Sequence, residues 1–175
     1  GKLSGTHTYL DNGDYTVSVT VTDDDLGAST KMFLVHVRNV APTVLTAMDL
    51  TGLEGQLLDF VATFTDPGIL DTHTAVVSWS DGTQTPGNIT ESRGQGMVTA
   101  SHVFADNAGY PISVQVTDNA GDSGSHNATA TIDNVPPLVM PAIDQVADEG
   151  QQLNLVVATF ADPGFTNTLG NTQET

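Results

Sequence analysis

Two stretches of the chain alternate strictly between apolar and polar residues, and each opens on a tyrosine. Tyr15, Val17, Val19 and Val21 are separated by Thr16, Ser18 and Thr20; Tyr110, Ile112, Val114 and Val116 are separated by Pro111, Ser113 and Gln115. A period of two puts alternate side chains on opposite faces, so each stretch predicts a half-buried β-strand. Acidic turns bound both: Asp11-Asn12 and Asp23-Asp24 in the first, Asp106-Asn107 and Asp118 in the second. The two stretches are offset by 95 residues (11 + 95 = 106), which marks a tandem repeat.

The same offset carries Asn39-Val40-Ala41-Pro42 onto Asn134-Val135-Pro136-Pro137, and Glu54-Gly55-Gln56 onto Glu149-Gly150-Gln151. Beyond that point the offset is 96, with Asp66-Pro67-Gly68 matching Asp162-Pro163-Gly164 (66 + 96 = 162). The extra residue falls between Leu155 and Phe160, inside an expected strand, and predicts a β-bulge there. Residues 40–135 then form one complete repeat. Residues 1–39 are the C-terminal half of another, and 136–175 the N-terminal half of a third. The halves nearly complement each other. They are either a window on a longer array or segments that pair between copies and build a filament.

No window of the complete repeat has helical periodicity. Its alternation predicts strands A (43–48), B (56–65), C (74–80), a weak D (83–90), E (97–104), F (110–117) and G (124–133). Inward positions are Leu58, Phe60, Ala62 and Phe64 on B, Ala75, Val77 and Trp79 on C, Tyr110 to Val116 on F, and Ala128, Ala130 and Ile132 on G. Seven short strands in so few residues predict an all-β Greek-key sandwich of immunoglobulin type. Trp79 falls on strand C, where such sandwiches bury a tryptophan. Tyr15 and Tyr110 open strand F, at the place of a tyrosine corner.

Three motifs within this frame point to a family. Trp79-Ser80-Asp81-Gly82-Thr83, then His102-Val103-Phe104, then Gly109-Tyr110-Pro111-Ile112-Ser113-Val114 resemble the PKD (polycystic kidney disease) repeat. Ser80 departs from the residue expected before Asp-Gly. The resemblance covers 40–135 in full and both flanking halves in part. It implies tandem, extracellular spacer or interaction modules without catalytic activity.

Charge narrows the partners. The chain has 21 Asp and Glu against 4 Lys and Arg, a net −17, which disfavours nucleic acid and anionic lipid, whose phosphates call for Lys and Arg. Such a balance suits a salt-tolerant protein or one that holds divalent cations. There is no cysteine, so any sandwich folds without a disulfide, and no apolar run approaches a membrane span. Gly1-Lys2-Leu3-Ser4 does not read as a signal peptide or the start of a nascent chain, and predicts a piece of a longer secreted or surface protein.

Sandwich topology gathers the acids at the repeat junctions. The B–C and F–G loops sit at the end where a repeat begins, bringing Asp66, Asp71, His73, Asp118 and Asp122 towards Asp11, Asn12 and Asp14 of the preceding half. The other end brings Glu54, Asp106, Asn107, Asp133 and Asn134 towards Asp162 and Asn167. Crowded carboxylates repel unless a cation lies among them, and oxygen-only ligands suit calcium. The candidate metal residues are therefore Asp66, Asp71, Asp118, Asp122, Glu54, Asp106, Asp133 and Asp162. The competing reading makes them turn carboxylates that cap backbone amides. Asp23-Asp24-Asp25 lacks the acidic twelfth position of an EF-hand and reads as a solvated turn. His7 and His102 are repeat-equivalent and predict structural positions on strand E. His73 predicts a hydrogen-bonding loop organiser.

Nothing in the sequence predicts an enzyme: nucleophile elbow, phosphate loop and cysteine nucleophile are all missing. Asn88-Ile89-Thr90 and Asn127-Ala128-Thr129 are glycosylation sequons. The expected function is structural or adhesive: a stalk, surface filament or adhesin whose partners are copies of itself, with junctions rigidified by calcium. The alternative is a carbohydrate- or protein-binding accessory module of a secreted hydrolase. Sugar platforms need exposed aromatics, and Trp79 is expected to be buried.

Overall fold

Residues 1–164 are described here from a computed structural model, and among them every regular element is a β-strand. The first half-repeat is a hairpin of β1 (Gly13–Thr22) and β2 (Ala28–Val37), in unbroken register from Gly13↔Val37 to Thr22↔Ala28. The complete repeat holds β3 (Thr43–Ala47), β4 (Leu50–Leu53), β5 (Leu57–Thr65), β6 (His73–Ser78), β7 (Gln84–Ser92), β8 (Gln95–Val103), β9 (Ala108–Asp118) and β10 (Ser123–Asp133). The last segment pairs β11 (Leu138–Pro141) with β12 (Ala158–Ala161).

Eight strands of the complete repeat form one curled sheet in the order β3-β5-β8-β7-β6-β9-β10-β4. Its two faces close on a single core, with Phe60, Trp79, Phe104 and Val114 fully buried between them. The predicted strand D proves to be the hinge of that curl. The first part of β7 pairs with β6 (Ala75↔Gly87) and the second with β8 (Asn88↔Thr99). Gly87 stands at the switch because a Cβ there would meet Val98 at 2.5 Å and Ala75 at 3.0 Å. At the other edge the chain crosses between faces within a few residues. β3 pairs antiparallel with β5, and β4 pairs parallel with β10, a strand the alternation alone did not predict. All inward positions predicted on B, C and G are buried, as are those on F except Tyr110, which is half-buried against the core.

Three sequence expectations need correction. Strand C stops at Ser78 because Ser80 takes a left-handed φ of 62°, which a strand cannot continue through. Trp79 is nonetheless fully buried, its indole N–H donating to Thr85 Oγ1 at 2.9 Å. His7 lies on no strand and is exposed, its ring edge against Tyr9; only its equivalent His102 sits on β8. The predicted bulge at 155–160 is also displaced. Ala158–Ala161 pairs with Leu138–Pro141 in unbroken register, and the residues before it form no strand. The irregularity appears instead in the complete repeat, where the ladder steps from Val44↔Phe64 to Thr46↔Thr63 and leaves Leu45 bulged. An extra residue can be absorbed by the loop that precedes a strand as readily as within it.

Candidate functional site at the repeat junctions

The tyrosine corner is present in both copies and fixes the turns that reach each junction. Tyr15 donates its hydroxyl to the Asp11 carbonyl at 3.0 Å, and Tyr110 does the same to Asp106 at 3.0 Å. Each ring also packs on the aromatic residue six positions before it. Tyr9 and Tyr15 lie 4.4 Å apart, Phe104 and Tyr110 4.5 Å apart. Burial raises the Tyr110 hydroxyl pKa above its ordinary value, aided by the charges of Asp106, Asp81 and Glu54, so the phenol stays protonated and remains a donor.

At the first junction the linker is tied to the acidic loops. Asn39 donates to Asp118 Oδ2 and to Asp122 Oδ2, each at 2.8 Å. The other oxygen of Asp118 accepts the backbone N–H groups of Ala120 and Asp122 at 2.9 Å. Burial works against the Asp118 carboxylate, but the bonds from Asn39 and these amides overcome it and hold the pKa below the ordinary range. Asp66 is equally committed, with Oδ1 accepting from Gly68 N–H at 2.6 Å and Oδ2 meeting His73 Nε2 at 3.1 Å. His73 Nδ1 meets Glu91 at 2.6 Å, so the imidazole spans two carboxylates. Burial opposes its protonation, yet these partners win and raise the pKa above 6.5. A raised histidine contributes stability below pH ~6.5 and loses it as pH climbs through the folded value. The loop-organiser role expected of His73 is what its contacts provide.

Asp71 is different. It is 8% exposed, and neither carboxylate oxygen is reached by a hydrogen-bond donor. Its backbone is held, the N–H donating to the Gly68 carbonyl at 2.9 Å, and Gly68 is required because a Cβ would run into the Asp71 carboxylate. Burial raises the Asp71 pKa first, followed by the charges of Asp11, Asp66 and Asp118. Asp11 lies within hydrogen-bonding reach, and two carboxylates this close repel unless a proton or a cation lies between them. Beside them is a cavity of about 120 Å³, bounded by Tyr9, Asp11 and Asn12 on one side and Pro67, Gly68 and Asp71 on the other. It lies between the two repeats.

The second junction repeats the scheme. Glu54 is 2% exposed; Oε1 accepts the linker N–H of Val135 at 2.8 Å, while buried Oε2 has no donor. Gly55, at φ 74°, donates to the Phe104 carbonyl at 2.8 Å and lies against Pro163 of the next segment. Asp162 Oδ1 accepts from Gly164 N–H at 2.9 Å, repeating Asp66 and Gly68. Asn167 lies outside the described residues.

Of the eight acids singled out from the sequence, five are buried: Glu54, Asp66, Asp71, Asp118 and Asp162. Asp122 and Asp133 are exposed and Asp106 half-buried. Four of the eight, Asp66, Asp106, Asp118 and Asp162, accept backbone N–H groups of their own turns. Among the described residues no three acids or imidazoles stand close enough to hold one metal ion by side chains alone. Sequence reasoning missed the Asp81–His102 pair. Asp81 accepts from Thr83 and meets His102 at 2.7 Å, while the His102 ring stacks on Trp79 at 4.7 Å. The spacing of 21 residues gives no local signal for it.

Comparison with known proteins places this architecture. Among solved structures, similarity is found to the PKD domain of an M14-like peptidase from Thermoplasmatales archaeon SCGC AB-540-F20. That match has 20% identity and a TM-score of 0.46, and covers 54% of this chain and 98% of that one. A nucleoside hydrolase-related hypothetical protein from Saccharophagus degradans matches at 14% identity and TM-score 0.38, over 55% of this chain and 26% of its own. Titin M4 matches at 15% identity and TM-score 0.36, over 55% and 100%. A search of curated proteins found no significant match. The family model for the PKD domain matches residues 39–133, more than half of the chain. The chain therefore belongs to the PKD domain family, whose members are generally non-catalytic and often serve as extracellular structural or accessory modules of secreted enzymes.

Proposed function

We propose that this chain is a structural segment of an extracellular repeat array, whose half-repeats complete one another between copies, head to tail. The observation that carries this reading is a pair of matched apolar surfaces, each partly exposed to solvent. In the complete repeat Ile112 and Val114 are buried against Phe60 and Phe64. Their equivalents on β1 are Val17 and Val19, the latter 36% exposed. On the third segment the equivalents are Leu155 (60 + 95 = 155), 45% exposed, and Phe160 (64 + 96 = 160), 51% exposed.

A groove of about 740 Å³ runs along β1 and β2 beneath the segment from Leu3 to Tyr9. Leu3, Gly5, His7 and Tyr9 are the equivalents of Val98, Ala100, His102 and Phe104, so in sequence this segment corresponds to β8, although it forms no strand. The strands that lie beside β8 and across from β9 in the complete repeat are β5 and β3, and their equivalents are β12 and β11. The turn between them is preformed. Gln151 N–H donates to the Asp148 carbonyl and Gly150 has φ 78°, as Gln56 donates to Leu53 and Gly55 has φ 74°. An occupant already in its docked shape loses little conformational entropy on binding.

Light scattering on the 175-residue chain tests this. Mass is expected to rise with concentration beyond that of a monomer. Val19→Asp and Phe160→Asp, one on each surface and both outside the complete repeat, should each return it to a monomer. A monomer at the highest soluble concentration would sink the reading. The accessory carbohydrate-binding reading ranks lower. Trp79 is fully buried and the hydroxyls of Tyr15 and Tyr110 are engaged in their corners, which leaves few aromatic faces for a sugar.

A further inference from the structure

We infer that Asp71 and Asp11 together hold one calcium ion that staples consecutive repeats across the first junction. Two independent observations meet here. The junction concentrates acids from both repeats: Asp11 of the preceding turn lines one cavity with Asp71, and the charges of Asp66 and Asp118 also act on Asp71. Separately, the Asp71 carboxyl is more than nine-tenths buried, both of its oxygens lack a donor, and it borders the inter-repeat cavity.

Buried polar atoms are almost always satisfied, and a buried carboxylate without a partner costs several kcal/mol if nothing neutralises it. No neighbouring donor reaches the Asp71 oxygens: Arg38 and Asn39 also line the cavity, but Asn39 donates to Asp118 and Asp122, and Arg38 makes no hydrogen bond to Asp71. Asp66 is engaged by His73 and Gly68, Asp118 by Asn39 and two amides, and Asp11 is itself a carboxylate. A hard divalent cation satisfies both groups at once. Arg38 is the cationic side chain among those lining the cavity, and the oxygen-bearing ones include the carboxylates of Asp11 and Asp71 and the amide of Asn12. That set suits calcium, which accepts six to eight oxygens in irregular geometry, better than magnesium, which demands a tight octahedron. Two side-chain carboxylates are too few for a high-affinity site, so Kd falls on the order of 10⁻⁴–10⁻³ M, the range of extracellular modules.

The ligands come from different repeats. Asp11 is positioned by the first tyrosine corner and Asp71 by the loop after β5, so binding couples to the angle between repeats. In sequence the position equivalent to Asp71 at the second junction is Asn167 (71 + 96 = 167), an amide in place of a carboxylate, so the ion is assigned to the first junction alone. The staple does not depend on assembly between copies and is tested on dilute monomer.

The test is calcium titration by calorimetry together with thermal melting of metal-stripped protein in EDTA, in millimolar calcium chloride and in sodium chloride of equal ionic strength. One site per chain is expected, and a rise in Tm of about 5 °C at calcium tenfold above Kd, absent with sodium chloride. Asp71→Asn should abolish both the heat and the rise, and without calcium should melt no lower than the parent. Asp11→Asn serves as the second variant if the first fails to fold. Asp106→Asn should leave the response intact. An unchanged Tm in calcium, an equal rise in sodium chloride, or a full calcium response in both Asp71→Asn and Asp11→Asn would overturn the assignment.

Discussion

Asp81 shows how one side chain organises the far end of the core. It sits in a turn made possible by the left-handed Ser80 and by Gly82 at φ 93°, and it gathers three hydrogen bonds, two from Thr83 and one with His102. Burial raises its pKa, yet those bonds bring it below 3.8. His102 in turn lies flat on Trp79 with an interplanar angle of 8°, so the carboxylate fixes the ring that roofs the buried indole. A carboxylate with a depressed folded pKa contributes stability above the unfolded value of about 3.9 and loses it as pH falls through the folded value. Asp81→Asn should therefore cost about 1 kcal/mol at pH 7, and the difference from the parent should shrink towards pH 2. Chemical denaturation across that range measures it. An equal deficit at both ends of the range would mean the loss is packing, not charge.

At the scale of elements, glycines decide where strands can approach. Gly96 opens the β8 core face beneath Phe64, and a Cβ there would run into the ring. Gly96→Ala should cost about 1–3 kcal/mol by overpacking, measured as a lower denaturation midpoint with an unchanged slope. A neutral outcome would show that Phe64 can move. The same reasoning explains the pairing of β7 with two partners. Its sequence, with Pro86 and Gly87 in mid-strand, reads as a weak strand. Gly87 admits Val98 from one face of the core and Ala75 from the other, and this lets a single strand turn the corner between them. Pro86 lies beside Val76 on β6, just before the strand changes partner.

At the scale of the molecule, stability is concentrated in the middle. The described core lies between Val44 and Ile132, whereas Phe33, Leu138, Val139 and Val156 outside it are each more than half exposed. Regions with few buried contacts open at the lowest free energy. Hydrogen exchange on dilute monomer should show protected amides in β5, β8, β9 and β10, and fast exchange in 1–12 and 142–157. Comparable protection in β11 and β12 under monomeric conditions would contradict this. Concentrated protein should gain protection in β1, β2, β11 and β12 together if half-repeats pair.

The sequence by itself determined the repeat, seven of the strands and the core face, because alternation and turn residues are local and each copy checks the other. It also placed the acids at the repeat ends, but the bonds from Asn39 to Asp118 and from Val135 to Glu54 emerged only in the structure. Tertiary structure decided the rest. It placed β4 against β10, curled the sheet through β7 and moved the bulge to Leu45, since these depend on how two faces close and not on any one segment. It separated the acids into those satisfied by their own turns and Asp71, which no donor reaches. Sequence places a carboxylate in a loop, but burial and the direction of neighbouring donors decide whether it caps the turn, as Asp66 does, or is left without a donor, as Asp71 is.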